Sequence, residues 1–260
     1  MTATPIVETH RTAEELAGAT AARLVTRLVD AQSAGRRPHI VLTGGTIARA
    51  VHRALRDSPA VASIDWHRVQ VWWGDERFVA ADDPERNELQ ARVDLLDALP
   101  LDPALVHPVA ASDGVHGDDP EAAAEAYAAE LAACALPEDH AEVPTFDVLM
   151  LGVGPDGHVA SLFPEHPGLH ETRSVAAVRH SPKPPPTRVS MTFPTLARAR
   201  EVWFIASGEG KSAAVRNALG GAGHLQVPAA GPRGIERTVW LLDHAAATAL
   251  PAGLRQPGAR

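Results

Sequence analysis

The chain has 260 residues, a mass of 27.4 kDa and a formal net charge of −8 at pH 7, and 45% of its residues are apolar. That length and apolar content are enough for the core of one α/β domain, and we expect residues 1–260 to form a single domain. The acidic balance does not predict binding to nucleic acid or to anionic membranes. An anionic ligand would therefore need a local cluster of positively charged groups.

The single cysteine and the N-terminal segment both indicate the cellular compartment. Cys134 is the only cysteine, so no disulfide can form within the chain, which fits a reducing compartment. It lies in an alanine-rich helical segment, where a small core residue is expected rather than a nucleophile. Residues 1–15 hold no apolar signal-peptide core, and no run approaches the about 18 apolar residues of a membrane span. We therefore expect a cytoplasmic protein.

Helical and strand patterns alternate along the chain. Helices are predicted at residues 12–34, 47–55, 88–99, 121–136 and 244–250, with a further helix that ends at residue 219. Strands are predicted at residues 38–43, 69–73, 146–151, 174–179, 188–192, 201–206 and 238–243. This order predicts an α/β fold with a mostly parallel sheet and helices on both of its faces.

The connecting segments are rich in Gly and Pro. Residues 181–187 carry four prolines, which exclude a helix and require an extended backbone. Residues 220–234 are predicted to form a loop, and the tail 251–260 is predicted to fray.

The turn after the strand at residues 38–43 is suited to binding an anion. Gly44, Gly45 and Thr46 separate that strand from a helix, so free backbone N–H groups and the positive helix end would face outward together. The spacing is neither a Walker A motif nor a dinucleotide fingerprint, so no nucleotide is implied. The alternative is a tight turn in which Thr46 merely caps the helix.

The stretch after the strand at residues 146–151 carries the most chemistry. Its glycine-rich loop presents Asp156 and His158, at the strand end where open α/β sheets build their sites. An imidazole can take a proton from water near neutral pH, and a carboxylate can orient it. The alternative is an ordinary turn followed by a solvated histidine.

Three further cations follow predicted strands or lie at their ends. Arg77 lies in a charged run directly after the strand at residues 69–73, which is either a solvated loop or part of the same rim. Arg188 begins the strand at residues 188–192. Lys211 ends a Gly-x-Gly-Lys turn and is one of only two lysines, the other being Lys183, which makes a functional role more plausible than for most lysines. The alternative is a solvated residue at a helix start.

Taken together, these segments resemble 6-phosphogluconolactonases. The matching segments are residues 43–46 (TGGT), 73–79 (WGDERFV) with Asn87, 152–164 (GVGPDGHVASLFP), 184–190 (PPPTRVS) and 210–211 (GK). They occur in the family's order, and the long central motif is the specific one. The resemblance implies a Rossmann-like α/β fold shared with glucosamine-6-phosphate deaminases. It also implies hydrolysis of 6-phospho-D-glucono-1,5-lactone to 6-phosphogluconate in the oxidative pentose phosphate pathway, with no metal or organic cofactor.

The resemblance assigns roles that agree with lactone chemistry. A δ-lactone is an activated ester, so the attacking water needs only a base and an oxyanion partner. His158 would be the general base, Asp156 would orient it or a substrate hydroxyl, and Arg77 would stabilise the developing negative charge or contact phosphate. The phosphate would be bound by the residues Gly44, Gly45, Thr46, Arg188 and Lys211.

The chain departs from the family's usual pattern at two places. Ile47 and Ala48 stand where a proline is usual, which would make the loop less rigid without changing its chemistry. Glu165 stands where glycine is common, and it adds a negative charge near the site.

Two other functions are possible for a chain with these segments. A glucosamine-6-phosphate deaminase would typically continue the central motif towards Phe-Asn-Glu-Pro, but residues 161–164 read SLFP and lack that carboxylate. A non-catalytic sugar-phosphate sensor would usually carry a DNA-binding helix-turn-helix, whereas one helix and no basic cluster precede the first predicted strand. The sequence does not fix the oligomeric state, although it is compatible with a monomer. It also does not show whether residues 220–234 close over substrate.

Overall fold

A computed structural model of the chain describes residues 4–251, 254 and 256–257. The strands in this part are β1 Ile6–His10, β2 His39–Leu42, β3 Gln70–Trp73, β4 Asp75–Arg77, β5 Phe146–Gly152, β6 Val175–Val178, β7 Arg188–Met191, β8 Ala199–Ala206, β9 Arg237–Asp243 and β10 Gln256–Pro257. The α-helices are α1 Ala13–Ser33, α2 Thr46–Arg56, α3 Asn87–Asp94, α4 Pro120–Cys134, α5 Phe193–Leu196 and α6 Ser212–Leu219. None of the described helices is long and apolar enough to cross a membrane.

The main sheet is parallel and is covered on both faces. Its seven strands lie in the order β10-β1-β9-β8-β5-β2-β3. Successive side chains of a strand enter opposite cores: Val41 of β2 packs with α4 and α6, whereas Ile40 and Leu42 pack with α1, α2 and α3. The predicted α/β fold, with a mostly parallel sheet and helices on both faces, is confirmed.

A second, antiparallel sheet adjoins the carboxyl end of β3. Its three strands lie in the order β4-β7-β6. Gly74 connects the two sheets, because its N–H donates to Leu42 O at 3.1 Å and its carbonyl accepts from Met191 N at 2.9 Å. Residues 75–77 are therefore a strand, and of the two alternatives for this charged run the solvated loop is wrong, since Glu76 is fully buried.

The ends of the chain differ from the prediction. β1 was not predicted, because only Ile6 and Val7 in it are apolar; it pairs with β9 along its whole length. The prediction that residues 251–260 fray is wrong for β10, which pairs with β1, while residues 252, 253, 255 and 258–260 lie outside the described part. Residues 244–250 form turns rather than the predicted helix.

The helix that was predicted at residues 12–34 forms as α1, and Thr12 caps it through a hydrogen bond from Glu15 N to Thr12 Oγ1 at 3.1 Å. Its apolar residues Leu16, Leu24 and Leu28 are all buried against the main sheet. The helix that was predicted at residues 88–99 is shorter, because α3 ends at Asp94 and a separate 3₁₀ turn, Leu96–Ala98, follows it.

A tyrosine completes the outer edge of the main sheet at β3. Tyr127 of α4 is fully buried, and its hydroxyl accepts a hydrogen bond from Trp73 N at 2.9 Å and donates one to Trp73 O at 3.0 Å. One side chain thereby satisfies two backbone groups of an edge strand that would otherwise be buried without partners.

We predict that Tyr127→Phe lowers the free energy of unfolding by about 1–3 kcal/mol, because both backbone groups of Trp73 lose their partner. The exposed Glu125→Gln on the same helix is the control and should change stability by no more than about 0.5 kcal/mol. Urea unfolding followed by circular dichroism measures both variants, and equal midpoints would contradict the prediction.

Candidate active site

A cleft opens at the carboxyl ends of the central parallel strands. It has a volume of about 150 Å³ and is lined, among others, by Gly44, Gly45, Arg77, His158, Arg188 and Lys211. An adjoining cavity of about 290 Å³ shares Gly44, Gly45 and Lys211 and adds Thr46. The structure therefore brings together all the predicted site residues, since Asp156 contacts His158 directly. A larger cavity, of about 560 Å³, lies at the opposite end of the strands around Arg36 and Arg200 and includes none of them.

Asp156 and His158 form a hydrogen-bonded pair. His158 Nδ1 lies 2.6 Å from Asp156 Oδ1, and the ring of Phe163 packs against the imidazole with a centroid distance of 4.7 Å. Burial alone would raise the pKa of Asp156, but the hydrogen bond from His158 and the charge of Lys183 hold it well below its ordinary value. An ionised carboxylate at this distance requires the proton on Nδ1, which leaves Nε2 of a neutral ring with its lone pair free.

The pair depends on a tightly folded loop. Gly154 N donates to His158 O at 2.9 Å, and Gly157 N donates to Gly154 O at 2.9 Å. A Cβ on Gly154 would lie 2.0 Å from His158 Nδ1 and 2.3 Å from Asp156 Oδ1. Glycine at residue 154 is therefore what lets the backbone pass beneath the paired side chains.

Residues 220–234 pack against the outside of this loop. Ala229 N donates to Gly157 O at 2.9 Å, and a Cβ on Gly157 would lie only 2.8 Å from a methyl group of Val227. Gly157 has a φ of +85°, a conformation that glycine adopts without strain. The predicted loop at residues 220–234 thus serves as a support for the Asp156–His158 loop.

The turn at residues 44–46 leaves the start of α2 open. Gly45, with a φ of +98°, is the N-cap, and no side chain of the described residues caps the helix. The alternative in which Thr46 merely caps the helix is therefore wrong, because Thr46 is the first helical residue. Gly44 and Gly45 border both cavities, the first helical residues Thr46 and Ile47 border the adjoining one, and no acidic residue lies in the first turn to compete with an anion.

Two arginines lie side by side on the second sheet, since Arg77 of β4 and Arg188 of β7 are directly paired. Burial and the charge of Arg77 lower the pKa of Arg188, while the charge of Asp75 raises it. Arg77 Nη1 donates to Glu85 O, and its buried Nε has no partner among the described residues. Two adjacent guanidinium groups repel each other, so an anion in the cleft would relieve an unfavourable interaction.

Arg188 uses only part of its hydrogen-bonding capacity on the protein. Its Nε donates to Pro185 O at 2.8 Å, and its Nη2 donates to Pro184 O at 3.0 Å and to Lys183 O at 3.3 Å. Its Nη1 lies 4.0 Å from Asp75 Oδ2. One side of this guanidinium therefore supports the proline-rich segment, and the Nη1 side is left for a ligand.

Sequence reasoning did not identify Glu76 as part of this region. Its carboxylate accepts hydrogen bonds from Arg77 N, Asn87 N and Glu88 N, at 2.7, 2.7 and 2.8 Å. Burial raises the pKa of Glu76 to about 7, against the lowering effect of the Arg86 charge and of these N–H groups. Glu76 thereby caps α3 and fixes the backbone of Arg77. The signal in the sequence was a run of charged residues that begins two residues after a buried strand.

Sequence reasoning also passed over Lys183. Its Nζ lies 3.4 Å from Asp156 Oδ1 and 3.2 Å from His158 Nδ1. Lys211 is half-buried nearby; burial and the charge of Lys183 lower its pKa, and the charge of Asp156 raises it. The one signal for Lys183 was that a chain so rich in arginine holds only two lysines.

The two departures from the family's pattern have structural explanations. Glu165 has a φ of +58°, which explains why glycine is common there, and its side chain is exposed to solvent. Ala48 is buried under the helix start, and Ile47 lines the adjoining cavity. Cys134 is half-buried against the core, and burial raises the pKa of its thiol, in keeping with a packing role.

Comparisons with known proteins agree with this geometry. The family model described as "Glucosamine-6-phosphate isomerases/6-phosphogluconolactonase" matches residues 11–240. The chain belongs to this family. It is 58% identical to a 6-phosphogluconolactonase of Streptomyces coelicolor, over 99% of both chains. It is 48% identical to that of Mycobacterium tuberculosis, over 95% of this chain and 98% of the relative.

Solved structures of the family have the same fold. A structure of 6-phosphogluconolactonase from Trypanosoma brucei superposes with a TM-score of 0.81 at 30% identity, over 95% of this chain and 99% of that one. A monomeric glucosamine-6-phosphate deaminase also superposes, with a TM-score of 0.74 over 94% of this chain and 99% of that one, but at 19% identity this likeness concerns the fold alone.

We predict that Gly154→Ala breaks the hydrogen bond between Asp156 and His158. The backbone of Gly154 lies outside the left-handed region, so the effect comes from the added methyl group alone. Long-range ¹H–¹⁵N spectra should show His158 with its proton on Nδ1 in the parent and a changed pattern in the variant. Gly18→Ala, with no atom within 4 Å of the new Cβ, is the control. An unchanged His158 signal in Gly154→Ala would refute this prediction.

Proposed function

We propose that this protein hydrolyses 6-phospho-D-glucono-1,5-lactone to 6-phosphogluconate, in the oxidative pentose phosphate pathway. The observation that carries the proposal is the Asp156–His158 pair at the mouth of a cleft bordered by an open helix start and by cationic side chains. Full-length identity of 58% to a protein named 6-phosphogluconolactonase supports the same substrate.

The reaction follows from the geometry of the pair. Nε2 of His158 takes a proton from water as the water oxygen attacks the lactone carbonyl, and Asp156 stabilises the imidazolium that forms. Arg77 stabilises the resulting oxyanion. The tetrahedral intermediate then collapses, the bond between the carbonyl carbon and the ring oxygen breaks, and His158 returns its proton to that oxygen. The products are a free hydroxyl and a carboxylic acid, which ionises.

The phosphate of the substrate would be bound on the side of the cleft formed by α2 and Lys211. The open N–H groups of Gly45 and Thr46 and the positive end of α2 favour a dianion there. Lys211 borders both cavities and supplies a full positive charge. Arg188 contributes through its Nη1 only, since its other donors are used on backbone carbonyls.

Every group in this scheme comes from one chain, and the scheme uses neither a metal nor an organic cofactor. We therefore propose that a monomer is sufficient for activity. The acidic composition and the single cysteine suit a cytoplasmic metabolic enzyme without a nucleic-acid partner.

We predict that His158→Ala lowers kcat for the lactone by about 10²–10⁴-fold, because the general base is lost. Freshly generated lactone is the substrate, and a coupled dehydrogenase reports 6-phosphogluconate above the spontaneous rate. The exposed His67→Ala is the control and should match the parent. Full activity in His158→Ala would refute the mechanism but not the reaction. An inactive parent would refute the reaction itself, and release of ammonia from glucosamine 6-phosphate would then favour the deaminase.

We predict that Lys211→Met raises KM for the phosphorylated lactone by about 10–100-fold, the cost of one charge-assisted hydrogen bond, while kcat changes little. Unphosphorylated glucono-1,5-lactone is the control substrate, and the variant should turn it over as the parent does. An equal loss of kcat/KM on both lactones would show that Lys211 acts on the lactone and not on phosphate.

A further inference from the structure

Both lysines of this chain lie at the same cleft. All of its other basic Lys and Arg residues are arginines, yet Lys183 Nζ lies 3.4 Å from Asp156 Oδ1, and Lys211 is close enough to feel the charges of both. Arginine and lysine are not interchangeable where a compact cation must fit beside another side chain. The mechanism above gives Lys211 a role and leaves Lys183 without one.

The position of Lys183 is closely defined relative to the pair. Because Nδ1 of His158 carries its proton towards Asp156, the ammonium group donates to Asp156 Oδ1, at 3.4 Å, and not to the imidazole. Its positive charge nevertheless lies only 3.2 Å from Nδ1. The imidazole is thus bordered by a carboxylate that favours its protonation and an ammonium group that opposes it.

The backbone of Lys183 is held in place from two sides. Ser181 Oγ donates to Lys183 O at 2.9 Å, and Lys183 N donates to Ser181 Oγ at 3.3 Å. Arg188 Nη2 donates to the same carbonyl at 3.3 Å. A surface lysine would need no such support, so this arrangement indicates a side chain that must be presented in one place.

We propose that Lys183 is a positioning residue for lactone hydrolysis, which fixes the carboxylate of Asp156 and places a positive charge beside the imidazole of His158. This inference rests on the proposed function. Lys183 holds the orienting carboxylate in place through the 3.4 Å hydrogen bond, and its charge balances that of the carboxylate at the imidazole. The other charged groups that line the cleft lie on other segments of the chain: Asp75, Arg77, Arg188 and Lys211.

Removing the charge of Lys183 and removing the charge of Asp156 should shift the pH profile of kcat/KM in opposite directions. Lys183→Met removes the opposing charge, so the imidazolium forms more readily and the acidic limb should move to higher pH by about one unit. At pH values on that limb, kcat/KM should fall about tenfold. Asp156→Asn removes the favouring charge and should move the limb to lower pH. The exposed Arg179→Gln, on the segment before Lys183, is the matched control and should keep the parent profile.

Chemical rescue distinguishes a missing charge from a damaged fold. The Lys183 side chain is 38% exposed, so methylammonium can reach the space that Lys183→Ala vacates. We expect added methylammonium to restore part of kcat in Lys183→Ala and to leave the parent and Lys211→Met unchanged. Lys183→Arg should not restore the parent rate, because a longer planar group cannot occupy the same place while the backbone is held.

Three outcomes overturn the inference while the parent remains an active lactonase. One is a Lys183→Met profile that matches the parent. Another is a loss confined to KM with the acidic limb in place, which would make Lys183 a substrate ligand. The third is a Lys183→Ala protein that has a native circular dichroism spectrum and does not respond to methylammonium. A parent that does not hydrolyse the lactone is a separate result and refutes the proposed function.

Discussion

The carboxylate and backbone of Asp75 connect the segments from which the site is built. Asp75 Oδ2 accepts from Ser161 Oγ at 2.7 Å, and Asp75 O accepts from Asn87 Nδ2 at 2.9 Å. Asp75 also pairs with Ser190 across β4 and β7, and Ser190 Oγ accepts from Ser161 N at 3.2 Å. Since the loop that carries His158 continues into Ser161, one buried acid sets the distance between the imidazole and Arg77 two residues further along β4.

Local charge at the cleft is opposite in sign to the charge of the whole chain. The net charge is −8, but Arg77, Lys183, Arg188 and Lys211 all converge on one region. Their mutual repulsion is visible in the lowered pKa values of Arg188 and Lys211, to which burial contributes most. Repulsion within such a cluster destabilises the protein without ligand, and a dianionic substrate would remove that repulsion. The free energy of this repulsion therefore contributes to substrate binding.

Local sequence patterns predicted the parallel sheet and the location of the site. They could not predict contacts between segments that are distant in the sequence. The apolar run at residues 146–151 and the glycines after it indicated a strand end with Asp156 and His158, and the structure agrees. β4 is three charged residues long, and only its pairing with β7 makes it a strand, so no periodicity could predict it. Lys183 comes 25 residues after His158, in a proline-rich segment with no secondary structure to predict its direction.

The tyrosine at the edge of β3 has a consequence for association between molecules. The sequence of β3, Gln-Val-Trp-Trp, is the kind of segment that pairs readily with strands of other chains. Its outward-facing backbone groups form hydrogen bonds within the same chain. His107 N donates to Val71 O at 2.9 Å, and the Tyr127 hydroxyl bonds both the backbone N–H and the backbone carbonyl of Trp73. Two buried tryptophans can therefore stand in this edge strand, because its outward-facing backbone groups are already hydrogen-bonded within the chain. Resistance to aggregation at this edge thus depends on the docking of one helix rather than on surface charge.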